Sequence, residues 1–130
     1  KDKHKKHRYD IIAINKQGKL CMIEQKKGTN ALSGTSGLKE HWDCYQQSIG
    51  KNHQPFMIEM ENLLKQKQAF GLIDKSLKIS NPIPEFMFAY SYYNKKSIGE
   101  QDKKFQTAYK EIGSNIKVIK LPYETFKLLD

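Results

Sequence analysis

Arginine is almost missing from this chain: Arg8 is the only one among 23 basic residues. The basic surplus is therefore a lysine surplus. By itself it is as compatible with a solvated surface as with a polyanionic partner. Cysteine is scarce too. Cys21 and Cys44 both fall inside predicted secondary structure among apolar neighbours, where buried free thiols are the rule, and a reducing cytoplasm is the expected compartment. Long apolar runs are absent. The longest covers five residues, Phe86 to Tyr90, which excludes a membrane-spanning helix of about twenty. The opening Lys1-Asp2-Lys3-His4 has no apolar stretch behind it, which is not the pattern of a secretory signal peptide. No Gly-Lys-Ser/Thr occurs, so a P-loop is excluded. There is no internal repeat.

What remains is enough for one domain. The chain has 130 residues, 38% of them hydrophobic, with six Phe, seven Tyr and one Trp. Aromatic residues at this density can build a core without disulfides and argue against disorder. The net charge of +9 is unevenly placed. Residues 1–30 hold nine Lys or Arg against three Asp or Glu, whereas residues 31–130 hold fourteen against eleven.

Residues 8–14, Arg-Tyr-Asp-Ile-Ile-Ala-Ile, and 19–26, Lys-Leu-Cys-Met-Ile-Glu-Gln-Lys, read as two strands with apolar side chains on both faces, as in a covered sheet. A small-residue loop, Lys27 to Gly37, precedes a helix with Leu38, Trp42, Tyr45 and Ile49 on one stripe. Ser36 is its expected N-cap. Pro55 opens a second helix with Phe56, Met60, Leu63 and Leu64 on one face. Residues 85–93 read as a buried strand, 101–112 as a helix carrying Phe105, Ala108, Tyr109 and Ile112, and 116–121 as a last strand. A short helix is expected from Pro122. A hairpin followed by β-α-β crossovers predicts an α/β fold, a mixed sheet flanked by helices.

The chemistry lies in Asp10 and in Glu24-Gln25-Lys26. Two carboxylates on neighbouring strands can hold a hard divalent cation such as Mg²⁺, or Mn²⁺, and leave room for water and a phosphate. Lys26 shares the face of Glu24 because the strand period is two. A lysine there can orient or deprotonate an attacking water. Everything depends on register. Lys16-Gln17-Gly18 fits a three-residue hairpin loop with glycine in the left-handed conformation, which pairs Ile12 with Met22 and Asp10 with Glu24. A two-residue Gln17-Gly18 turn would pair Asp10 with Gln25 and throw it to the wrong face. The three-residue loop is the reading adopted. Opposed carboxylates in an apolar hairpin are costly to bury without a cation or a lysine.

Asp10, a spacer, and Glu24-Gln25-Lys26, followed by helix, strand, helix and strand from Tyr9 to about Leu121, resemble the PD-(D/E)XK nuclease superfamily. The resemblance implies a restriction-endonuclease-like fold and Mg²⁺-dependent hydrolysis of a phosphodiester to a 5′-phosphate. It implies Asp10, Glu24 and the Gln25 carbonyl as metal ligands and Lys26 beside the attacking water. Tyr9 stands where the motif's proline would be. The family's usual helix and strand before the Asp strand are missing from these residues, so a piece of a longer chain is expected.

Further contacts to nucleic acid are expected from Lys27, Thr29, Asn30 and Ser33 in the small-residue loop, which could hold a phosphate before the next helix. Lys5, Lys6 and Arg8 in the N-terminal arm could track a nucleic-acid backbone, and Gln46 lies where part of the family places a glutamine near the site. Tyr90, Tyr92 and Tyr93 are candidates for stacking on bases, against core packing as the ordinary role. His41 and Cys44, with His53, lack the paired spacing of a structural zinc site. The expected partner is nucleic acid, DNA ahead of RNA, with a homodimer as a further possibility. The competing readings are a non-catalytic nucleic-acid-binding or assembly module on the same fold, and an α/β domain whose acidic pair is structural.

Overall fold

The computed structural model describes residues 9–29, 32–92 and 98–121. The first strand, β1 (Ile11–Ile14), turns back into β2 (Leu20–Lys27). Three residues close the hairpin. The Asn15 N–H donates to the Lys19 carbonyl at 3.0 Å, and the Gly18 N–H donates to the Asn15 carbonyl at 2.9 Å. The Asn15 side-chain oxygen also accepts the N–H groups of Gln17 and Lys19. Gly18 has φ +82°, the left-handed conformation that such a loop needs at its third position. The register that follows pairs Ile11 with Ile23, Ile12 with Met22 and Ile14 with Leu20.

The turn is pinned from outside as well. The Ser80 N–H donates to the Gly18 carbonyl at 2.8 Å, and the Ser80 hydroxyl donates to the Gln17 carbonyl at 2.9 Å. Asn81 brackets Leu20 through both its main-chain N–H and its carbonyl. A Cβ on Gly18 would stand 1.9 Å from the Lys78 carbonyl oxygen. Gly18→Ala is therefore expected to cost at least about 2 kcal/mol, combining the left-handed penalty with a main-chain clash. Urea denaturation checks it. A loss below about 0.5 kcal/mol, the range of an inert surface change, would contradict this account of the turn.

After β2, a 3-10 turn (Gly34–Ser36) leads into α1 (Leu38–Tyr45) and a π-helical turn at Gln46–Gly50. Gly37, not Ser36, is the N-cap of α1, and no side chain caps it. The 3-10 turn is the reason: its closing bond, from the Gly37 N–H to the Gly34 carbonyl, carries the chain one residue further before the helix begins. Helix α2 (Gln54–Ala69) has Pro55 in its first turn. Strand β3 (Glu85–Ser91), helix α3 (Ile98–Ile112) and strand β4 (Lys117–Leu121) complete the order. The segment expected to turn helical from Pro122 lies outside the described residues.

The four strands form one mixed sheet in the order β1-β2-β3-β4. The hairpin pair is antiparallel, and the β2–β3 and β3–β4 pairs are parallel. The β2–β3 crossover carries α1 and α2, and the β3–β4 crossover carries α3. Met22, Phe86, Phe88 and Tyr90 pack beneath Leu38, Tyr45, Ile49, Phe105, Ala108 and Ile112. The Tyr90 and Phe105 rings lie 4.3 Å apart, and Phe86 meets Phe88 edge to face. The Tyr45 hydroxyl donates to the Pro84 carbonyl at 2.6 Å and ties α1 to the start of β3.

Cover on both faces was expected for both hairpin strands. It holds for Leu20, Cys21 and Met22 of β2, whereas Gln25 and Lys27 later in that strand are exposed, and it fails for β1, where Ile11 and Ile12 are 37% and 40% exposed. The cause is position, since β1 is the sheet edge among the described strands. Leu63 is exposed as well, so the apolar face of α2 is narrower than its spacing predicts. Among the described residues no helix is long and apolar enough to cross a membrane.

Candidate active site

Strand period and hairpin register place the acidic residues. Glu24 and Lys26 point to the helix-covered face of β2, beside Phe88 and Tyr90 on β3. One pair beyond Ile11–Ile23, the register sets Asp10 against Glu24. Asp10 lies just before β1, where its carboxylate takes over from the ladder: Oδ2 accepts the Gln25 N–H at 2.9 Å. The N–H and carbonyl of one strand residue point the same way, so the Gln25 carbonyl faces the Asp10 side too.

The Asp10 and Glu24 carboxyls are close enough for each to feel the other's charge. Glu24 is buried, with 1% of its surface exposed. Burial, then the negative charge and carboxyl of neighbouring Asp10, push its carboxyl up to about 7, while the Lys26 charge works the other way. Asp10 itself is exposed, and Glu24 behaves this way because a buried carboxylate beside a second negative charge is poorly solvated. Lys26 is 8% exposed. Burial lowers its ammonium below the usual lysine range, against the opposing pull of Glu24 and Asp10.

His41 joins the two. Its Nε2 lies 3.0 Å from Lys26 Nζ and its Nδ1 lies 3.4 Å from Glu24 Oε2. The residue was considered only as a weak zinc ligand in the sequence, yet a signal was there. His41 falls three residues after Leu38 and four before Tyr45, on the stripe that α1 turns toward the sheet. Tyr9 and Ser48 close the rim through a 3.2 Å hydroxyl contact. Burial raises the Tyr9 hydroxyl, opposed by the Ser48 bond and assisted by the Glu24 charge.

The other expected contacts are scattered. Lys27 is exposed at the end of β2, on the opposite sheet face from Lys26 by strand period. A groove at the carboxyl ends of the parallel strands is lined by Gln25, Lys26, Lys27, Ala89, Ser91 and Leu121. Thr29 is half-buried, and Ser33 is exposed beside a depression lined by Glu40, Asp43, Glu111 and Lys39, an acidic setting for a phosphate. Gln46 is exposed on the π-helical turn, not on α1. Lys5, Lys6, Arg8, Asn30 and Tyr93 lie outside the described residues. Tyr90 is fully buried against Phe105, so it belongs to the core and cannot stack on a base. The Tyr92 hydroxyl donates to Asp102 at 3.3 Å.

Among the described residues no group of three or more His, Cys, Asp and Glu side chains converges on a metal position, which is the wrong arrangement for structural zinc. Mg²⁺ asks for less: one or two carboxylates, with waters and substrate phosphate completing the shell. Asp10 and Glu24 could supply two such carboxylates, and the negative charge that raises the Glu24 carboxyl is charge a cation would offset. The carboxylates, the lysine and the histidine have to speak for themselves, because no family model, curated protein or solved structure matches this chain.

Proposed function

We propose that the protein is a Mg²⁺- or Mn²⁺-dependent nuclease of restriction-endonuclease-like fold that hydrolyses phosphodiesters, DNA ahead of RNA. The observation that carries the reading is the hairpin register that sets Asp10 against Glu24, with Glu24 and Lys26 both buried on one face. Asp10, Glu24 and the Gln25 carbonyl would hold the cation. A bound divalent ion supplies Lewis acidity and a more acidic bound water. Lys26, its ammonium destabilised by burial, would orient the attacking water and, in the fraction that has lost its own proton, take the proton of that water. The water oxygen bonds to phosphorus as the bond to the 3′ oxygen breaks, and the 3′ oxygen takes a proton from solvent, leaving a 5′-phosphate and a 3′-hydroxyl. The charge surplus of the first thirty residues offsets repulsion between a polyanion and the acidic pair.

The test uses supercoiled plasmid, single-stranded DNA and RNA with Mg²⁺ or Mn²⁺. Cleavage is expected to stop with chelator and in Asp10→Asn, with 5′-phosphate ends on the products. Salt-sensitive binding without cleavage under either metal would replace this reading with a non-catalytic binding module.

A further inference from the structure

We infer that His41 is a positioning residue for Lys26. As a role in cleavage the inference rests on the reading above; as a statement about Lys26 it stands on geometry alone. An ammonium has donors and no acceptor. With Lys26 protonated, the 3.0 Å contact to Nε2 therefore uses the lone pair of the ring. The ring proton is then on Nδ1, which faces Glu24 Oε2 at 3.4 Å. The imidazole thus accepts from the lysine across the shorter contact and donates toward the carboxylate across the longer one, and only this tautomer satisfies both.

The need for such a bridge is physical. Lysine is a point charge on a flexible four-carbon stem, and the nearest attraction for Lys26 is the carboxylate two residues before it on the same face. A ring in contact with both holds the ammonium at a defined place. The ring is itself well anchored. It sits between Leu38, 0% exposed, and Tyr45, 6% exposed, and the Tyr45 hydroxyl is tied to the Pro84 carbonyl.

Two variants and one spectrum test this. A glutamine amide offers one acceptor and one donor group, so His41→Gln can replace both contacts, whereas His41→Ala replaces neither. In single-turnover cleavage at saturating Mn²⁺, His41→Ala is expected to slow the reaction about 10- to 100-fold, the usual scale for losing an orienting partner. DNA binding stays nearly unchanged and His41→Gln recovers most of the rate. Nitrogen-15 NMR of the histidine rings at pH 8.5 reads the tautomer independently of activity. The His41 signals, identified by their loss in His41→Gln, are expected to show Nδ1–H and to move toward the Nε2–H form in Lys26→Met. An Nε2–H ring in the parent, or a tautomer indifferent to Lys26→Met, overturns the inference, as does His41→Ala cleaving at the parent rate. A parent that never cleaves but shows the Lys26-dependent Nδ1–H signature removes the nuclease reading and leaves the positioning of Lys26 standing.

Discussion

At pH 8, Glu24→Gln is expected to be more stable than the parent by about 3 kcal/mol, and at pH 4 the two should be equal. Folding raises the Glu24 carboxyl from its ordinary 4.5 to about 7, and each pKa unit corresponds to about 1.4 kcal/mol. Between those values the native state binds more protons than the unfolded chain, so parent stability falls as pH rises. The native advantage is whole below about 4.5 and gone above about 7. Glutamine keeps the shape and the donor of the protonated acid and cannot ionise, so the gap between the proteins opens across that window. Mg²⁺ supplies a second comparison. A cation that binds the ionised pair stabilises the parent at pH 8 in proportion to its occupancy, and it should do little for the variant. Urea denaturation at pH 4, 6 and 8, with and without Mg²⁺, measures all of this. A gap that does not change with pH would mean that Glu24 ionises at the same pH in the native and unfolded states, and the charge balance described for the site would be wrong.

Lys26→Met should lower the single-turnover cleavage rate about 10² to 10⁴-fold, the range for losing a positioned acid–base group, while DNA binding at saturating Mn²⁺ changes little. Lys26 is not a metal ligand in this scheme, so the substitution removes the group beside the water and keeps the carboxylates. Lys26→Arg should fail to rescue the rate. A guanidinium stays protonated at any working pH and presents a planar fork in a space shaped for a compact ammonium. Cleavage by Lys26→Met at the parent rate would remove Lys26 from the chemistry, whatever Asp10 and Glu24 prove to do.

The parts of the site that were legible in the sequence are those set by short-range geometry. Asn15 to Gly18 closes a three-residue loop because an asparagine side chain can hold two N–H groups of the turn and only glycine sits easily at φ +82°. That loop sets the register, and the register with strand period two brings Asp10, Glu24 and Lys26 to one face. The stripe of Leu38, Tyr45 and Ile49 was equally legible, since helix period is local too. The burial of Tyr90 was harder to read, because a strand that is apolar on both faces does not say which aromatic ring meets a helix. Phe105, fifteen positions later in the chain, decides it.

By itself, then, the sequence determined the hairpin, its register, the order of elements and the convergence of the acidic pair with a lysine. Tertiary structure alone decided that β1 stays exposed at the edge, that Ser36 yields the cap to Gly37, and that a histidine stands between Glu24 and Lys26. The reason is range. Turn chemistry and side-chain period act over a few residues, but His41 reaches Lys26 only because α1 docks over β2. That docking depends on a shared core and on contacts such as Tyr45 to Pro84, 39 positions apart.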